Sequence, residues 1–204
     1  AKSQNWRWYS DVNNETPASA LGGENSAPID LASGSTTKLR VTVKETENIA
    51  RDDVRFKLQY SEYADFSAGV HDVLATSSCI ASSTWCYFNG GGADNGVITT
   101  KVLSDADSCV ASVGDGCGTH NESPSVATGF RHENSAATEY EFTLTARALR
   151  ANAVYYFRLY DVVQDQIDLQ AAFGYCFGGY WSSFHEYRGN LENGCGISNE
   201  VEDV

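Results

Sequence analysis

The sequence predicts an all-β protein, an antiparallel β-sandwich with long loop insertions, and three observations carry that expectation. First, residues 139–160 (EYEFTLTARALRANAVYYFRLY) alternate apolar and polar side chains on both sides of a Leu149-x-Ala151-x-Ala153-x-Tyr155 link. Tyr140, Phe142 and Leu144, then Tyr155, Phe157 and Leu159, fall on one face, with mostly Glu, Thr, Arg and Tyr between them. Successive side chains of a strand point to opposite faces, so this pattern predicts two half-buried antiparallel strands. Second, turn signals such as Gly22-Gly23, Gly90-Gly91-Gly92 and Asp94-Asn95-Gly96 punctuate the chain. Third, no long segment keeps the 3.6-residue period of an amphipathic helix.

Taken in order, residues 4–10 (QNWRWYS) alternate, with Trp6, Trp8 and Ser10 on one face and Arg7 and Tyr9 on the other. A turn-rich linker follows through Pro17, Gly22-Gly23 and Pro28. Residues 38–44 (KLRVTVK) predict a strand with Leu39, Val41 and Val43 inward, and residues 54–60 (VRFKLQY) another with Val54, Phe56, Leu58 and Tyr60 inward. Ser-, Ala- and Gly-rich sequence leads to Phe88, and residues 97–103 predict a further strand. Residues 104–137 read as an irregular insertion. Beyond the 139–160 pair, residues 162–173 favour a closing strand over a short helix. Residues 174–198 read as a second loop insertion before an acidic tail. The whole is expected to be one domain over residues 1–204, with residues 1–12 as its N-terminal strand; no internal repeat is visible.

At 204 residues and 42% hydrophobic content the chain can bury a real core. Fourteen Lys and Arg against 27 Asp and Glu leave a net charge of −13, which argues against nucleic acid and anionic membrane surfaces as partners. No apolar run approaches the roughly 18 residues of a membrane span, so no membrane insertion is expected. The absence of methionine and the start at Ala1 are consistent with a secretory leader already removed.

Six cysteines fall into three sequence-neighbour pairs, Cys79 with Cys86, Cys109 with Cys117 and Cys176 with Cys195. Sequence alone does not set connectivity, but neighbour pairing would staple loops too poor in apolar residues to hold themselves. No C-x-x-C occurs, which removes the common zinc-knuckle and thioredoxin-like spacings. A thiolate metal site drawing on His120, His132 or His185 is the alternative. If the disulfides form, the protein belongs outside the cell or on its surface.

The order NWRWYSDV…TPASALGGENSAPIDL…LRVTVKE…VRFKLQYSE…EYEFTLTARALRANAVYYFRLYDVV resembles an immunoglobulin-like β-sandwich module of bacterial surface and extracellular proteins. The Tyr155 position, six residues after Leu149, is similar to the tyrosine corner of immunoglobulin-like and fibronectin type III-like domains. The resemblance covers about half the chain, and its motifs are structural. It implies a secreted, surface-associated role without catalysis. A single copy and the long cysteine-bearing insertions depart from it.

Chemistry is sparse by comparison. There is no G-x-S-x-G and no H-E-x-x-H; His71-Asp72, His132-Glu133 and His185-Glu186 read as surface or loop dipeptides. No catalytic residues and no cofactor are expected. Asp94-Asn95-Gly96 and the Asp105, Asp107 pair could offer oxygen ligands to calcium, but turn chemistry and a solvated hairpin end account for them equally. Asn14-Glu15-Thr16 and Asn121-Glu122-Ser123 are N-glycosylation sequons expected on exposed loops. Residues 173–187 hold seven aromatics, including Tyr180 and Trp181, which read as a buried cluster, an association surface or a platform for sugar rings.

The N-terminal strand has two readings. It is the first strand of its own sandwich, or a donor strand completing the sheet of a second copy, with Trp6 and Trp8 as anchors. A head-to-tail contact that does not close builds a filament. The functional expectation is thus a structural subunit of an extracellular filament or surface assembly, a homopolymer joined by strand addition and packed faces. Trp6, Trp8, Tyr9, Tyr180 and Trp181 are its candidate contacts. The alternative is a carbohydrate-binding or adhesive module whose partner is a glycan or host surface.

Overall fold

The computed structural model describes residues 1–10, 16–28, 31–90, 93–110, 115–124, 129–163 and 173–176. Within them the chain is all-β, with one short 3₁₀ turn at Thr76–Ser78. The strands are β1 (Lys2–Ser10), β2 (Thr36–Lys44), β3 (Arg51–Val54), β4 (Phe56–Ser61), β5 (His71–Asp72) and β6 (Trp85–Tyr87). They continue as β7 (Gly96–Val97), β8 (Cys117–Asn121), β9 (Phe130–His132), β10 (Ala137–Ala146), β11 (Val154–Asp161) and β12 (Phe173–Cys176). One sheet runs β1-β2-β10-β8-β7, with β6 also on β10; a second runs β12-β11-β4-β5; β3 and β9 form a small third.

The β2–β10 ladder is the spine of the first sheet. Its antiparallel register sets Leu39 opposite Phe142 and Val41 opposite Tyr140 on the inner face, and Arg40 opposite Glu141 on the outer face. The inner faces of the two larger sheets share one apolar core. Trp85 meets Phe157 edge-on with ring centroids 4.9 Å apart, Trp8 meets it at 5.3 Å, and Phe56 meets Tyr140 at 5.0 Å. Such edge-to-face contacts add to the large apolar area these rings bury. The link between β10 and β11 is closed by Tyr155, whose hydroxyl accepts the Arg150 N–H at 3.0 Å.

β1 is a strand of its own sheet here. It pairs antiparallel with β2, with Trp6 opposite Val41 and Trp8 opposite Leu39. Its other edge is taken as well: Ser10 N–H donates to the Ser19 carbonyl at 2.9 Å, while Leu21 N–H and Asn25 N–H donate to the Trp8 and Trp6 carbonyls at 2.9 and 2.8 Å. Trp8 has no exposed surface, so the ring is core rather than a free anchor.

Several expectations are corrected. The strand expected over residues 97–103 is only Gly96–Val97; the chain then leaves the ladder and crosses the outer face of the first sheet. The segment 104–137, read as irregular, supplies β8 and β9. β8 lies parallel to β10, so the sheet is mixed rather than purely antiparallel. A Cβ on Gly118 would sit 2.6 Å from the Tyr140 ring, which is why only glycine lets β8 run this close to β10. Residues 174–176, read as the start of a loop insertion, belong to β12, which pairs with β11. Residues 164–172 and 177–198 lie outside the described residues.

Removing the Trp8 ring should cost about 3–5 kcal/mol, the usual range for a fully buried Trp replaced by Ala. Denaturant unfolding of Trp8→Ala, and of a chain lacking residues 1–10, measures this. Unchanged stability in both would mean that β1 is dispensable to its own sandwich.

Candidate functional site: a buried ionic cluster beneath a strap

Alternation on β2 puts Lys38, Arg40 and Thr42 on the outer face of the first sheet, and alternation on β10 puts Glu139 and Glu141 beside them. β8 adds His120 across from Glu141, and Glu122 follows just past its end. Arg40 donates from Nη1 to Glu139 Oε1 at 2.7 Å and from Nε to Glu141 Oε2. Lys38 Nζ lies 3.2 Å from Glu141 Oε1. His120 bridges two carboxylates, with Nδ1 2.5 Å from Glu141 Oε1 and Nε2 2.9 Å from Glu122 Oε1. Arg40 and both β10 glutamates have no exposed surface at all.

A strap over residues 98–107 covers this cluster, and carboxylates fasten it. Glu139 Oε2 accepts the Val102 and Leu103 N–H groups at 2.9 and 2.8 Å, and Arg40 Nη1 donates to the Thr100 carbonyl at 3.2 Å. Asp105 accepts from the Asn5 N–H and the Thr42 hydroxyl, both at 2.7 Å, and Asp107 accepts from the Ala137 N–H at 2.7 Å. Glu24 accepts the Ser104 N–H at 2.9 Å. Ile98, Leu103 and Ala106 are buried beneath the strap. Asp94 accepts the Glu122 N–H at 2.8 Å. The carboxylates read as calcium ligands, Asp94, Asp105 and Asp107, thus serve as backbone acceptors. Among the described residues no group of three or more His, Cys, Asp or Glu side chains is arranged to hold a metal ion.

With His120 protonated the cluster holds three cations (Lys38, Arg40, His120) and three carboxylates (Glu122, Glu139, Glu141), a neutral sum suited to a site sealed from water. Burial opposes the His120 cation, but hydrogen bonds to Glu141 and Glu122 outweigh it and hold the pKa above the ordinary 6.5. Burial likewise opposes the Glu141 anion, yet the His120 hydrogen bond and the Arg40 and Lys38 charges bring its pKa below 4.5. His132 is the opposite case. Burial pushes its pKa down, and its ring contacts the Tyr140 hydroxyl at 2.9 Å and the Ala136 carbonyl at 3.2 Å. A cluster so enclosed can hold charge and respond to pH; it offers no surface to a substrate.

The expected site residues fall elsewhere. Trp6 and Trp8 are core. Tyr9 is buried on the outer face of β1, with the Arg7 guanidinium 5.7 Å from its ring centre. Cys79–Cys86 and Cys109–Cys117 are disulfides, so these four cysteines are not the thiolate ligands of the metal alternative. Cys176 ends β12, and its expected partner Cys195 lies outside the described residues, as do Asn14, Tyr180, Trp181 and His185. Asn121 is corrected: it is 3% exposed, and its Nδ2 donates to the Thr119 and Glu141 carbonyls at 3.1 Å each, so the sequon is not on an open loop. The ionic cluster itself was missed. Its one signal was complementary charge, Lys38 and Arg40 on one strand against Glu139 and Glu141 on another, which acquires meaning only through the register.

No family model, curated protein or solved structure matches the chain. The two disulfides point to an oxidising, non-cytoplasmic setting. Among the described residues no helix is long and apolar enough to cross a membrane.

Two outcomes follow for the cluster. Arg40→Met leaves Glu139 and Glu141 buried without their shared cation and should destabilise by about 3–5 kcal/mol in denaturant unfolding. Because the folded pKa of His120 is raised, its contribution is complete below pH 6.5 and disappears as pH rises through the folded value. Glu141 contributes above pH 4.5 and loses its part as pH falls through its lowered folded value. The depressed His132 works against stability as pH falls below 6.5. The stability difference between wild type and His120→Gln cancels the His132 effect. It should be largest in the weakly acidic range and shrink toward alkaline pH.

Proposed function

We propose that the chain is an immunoglobulin-like β-sandwich that works by association, as a structural subunit of an extracellular filament or surface assembly. The Tyr155 corner and the Trp85–Phe157 contact between facing sheets support the immunoglobulin-like part of this reading. The observation that carries the association is a rigid apolar projection. Leu74 is 38% exposed and Ile80 is 64% exposed; Ile80 lies in the loop closed by Cys79–Cys86, and Leu74 bridges to Cys86 through its backbone. Leu74 is fixed by hydrogen bonds with Trp85 and Tyr87 (3.2 and 2.8 Å), and Ser83 N–H closes the turn onto the Ile80 carbonyl at 3.0 Å. A contact carried on backbone already held by hydrogen bonds and a disulfide loses less further entropy on binding, which favours repeated association.

The occupied outer edge of β1 moves the expected strand addition away from the N-terminal strand. The two-residue β5, whose residues are exposed, is one edge of the second sheet. Packed faces are then the main contact and edge pairing a supplement.

Electron microscopy and sedimentation of the purified protein test this. Wild type should form elongated polymers, and Ile80→Asp should remain monomeric with unchanged unfolding stability. A wild-type chain that stays monodisperse at high concentration would overturn the proposal.

A further inference from the structure

The first sheet ends at an edge that is tied to the ionic cluster. Residues 94–98 cover that edge of β8. Asn95 N–H donates to the His120 carbonyl at 2.7 Å, Ile98 N–H donates to the Gly118 carbonyl at 3.0 Å, and β7 pairs Gly96 with His120 and Val97 with Thr119. The segment starts from its own turn, with Gly96 N–H on the Ala93 carbonyl at 2.6 Å and Asn95 at a φ of 64°, a left-handed conformation that Asn tolerates. Two further contacts reach this edge from Glu122. Its N–H donates to Asp94 Oδ1 at 2.8 Å, and its Oε1 accepts the Gly90 N–H at 3.0 Å. The same Oε1 lies 2.9 Å from His120 Nε2. One imidazole ring therefore joins the inside of the cluster, through Glu141, to the segment that closes the edge of the sheet.

The ring can make both contacts as a donor only while it carries two protons. An imidazolium donates from both nitrogens, whereas a neutral imidazole has one N–H and one lone pair. Loss of the proton leaves one carboxylate facing a lone pair and removes the positive charge between two buried anions. The groups around the ring decide which carboxylate gives way. β2 contributes Lys38 and Arg40, both bonded to Glu141, and β10 also contributes Glu139, which Arg40 holds. The strap contributes Lys101, turned to the Ala106 carbonyl, and Asp105 and Asp107, which accept from Thr42 and from the Ala137 N–H. Asp94, at the Glu122 N–H, is a further carboxylate on the edge side. Glu141 sits within the ladder, its register fixed opposite Arg40, whereas Glu122 follows the last residue of β8. Glu122 is therefore the one that swings outward.

Movement of Glu122 breaks its bonds to Asp94 and Gly90 and weakens the hold on the turn that leads into β7. We propose that His120 and Glu122 form a pH-dependent clasp, closed while the ring is protonated, that keeps residues 94–98 on the edge of β8 and lets them detach when the proton leaves. Burial opposes the charge on the ring, but the hydrogen bonds to Glu141 and Glu122 outweigh it and hold the pKa above 6.5. The clasp is thus closed in weakly acidic medium and opens as pH rises through the folded value. Opening bares the β8 backbone over residues 118–120, which becomes an unpaired sheet edge. The inference stands apart from the assembly reading, which rests on the Leu74 and Ile80 projection.

Hydrogen exchange of the wild-type protein, followed by NMR across the weakly acidic to alkaline range and corrected for the chemical exchange rate, tests it. Protection of the Asn95 and Ile98 amides should fall by about tenfold, toward the low end of the usual coupling between linked sites. The midpoint should follow the His120 ring, and the amides of the β2–β10 ladder should keep their protection. His132 gives an internal comparison, because burial lowers its pKa and the two rings titrate on opposite sides of 6.5. Glu122→Gln meets the neutral ring without a charge and should keep residues 94–98 protected throughout. Circular dichroism checks that this variant is folded; where it is not, the wild-type exchange decides alone. Unchanged protection of Asn95 and Ile98 overturns the proposal, as does an equal loss over the whole ladder or a midpoint that follows His132. A folded Glu122→Gln protein that retains the wild-type pH dependence overturns it as well.

Discussion

Arg40 lies between Glu139 and Glu141 with no solvent contact, and this arrangement constrains much of the first sheet. Removing ions from water is costly, and the cost is offset only when every charge has a partner in good geometry. A one-residue slip of β2 against β10 would turn Arg40 and Lys38 into the apolar core and leave both glutamates unpaired. The ion pairs therefore act as a register lock on a ladder whose apolar face alone already opposes such a slip.

The same constraint explains why the sheet has a covering layer. Six charged groups on an open face would be solvated and weakly coupled. Beneath the strap they become strongly coupled, and the strap in turn takes its backbone hydrogen bonds from their carboxylates, Glu139 to Val102 and Leu103 above all. The Cys109–Cys117 disulfide ties the far end of the strap to the start of β8. β8 is parallel to β10, and the connection such a pair requires is made over residues 122–136, which carry β9 in the small third sheet. Strap and disulfide are consequences of covering one charged face.

This arrangement also sets what could be read in the sequence. The 139–160 strands, the Tyr155 corner and two of the local disulfide pairs were legible because each is written in a short stretch with its own period, spacing or residue type. The covered face was not, because alternation of Tyr, Phe and Leu with Glu and Thr looks the same whether the polar side meets water or another layer. β8 (CGTHN) is short, polar and without alternation, so its place in the sheet comes from tertiary contacts: Gly118 against Tyr140, and His120 against Glu141. The expected strand at residues 97–103 failed for a related reason. Its apolar residues Ile98 and Leu103 are buried as the underside of a strap, not as one face of a ladder.

The two sheets therefore have unequal freedom. In the first, inner and outer faces are both consumed by stability, and the outer edge of β1 is hydrogen-bonded to residues 19–25. Donating β1 to another copy would require breaking the β2 ladder, withdrawing Trp6 and Trp8 from the core and releasing those outer-edge bonds, so a donor-strand mechanism would work against the same contacts that hold the monomer. In the second sheet, the outer row from Asp72 through Gln59 to Arg158 keeps polar groups near solvent on a backbone that the shared core holds rigid.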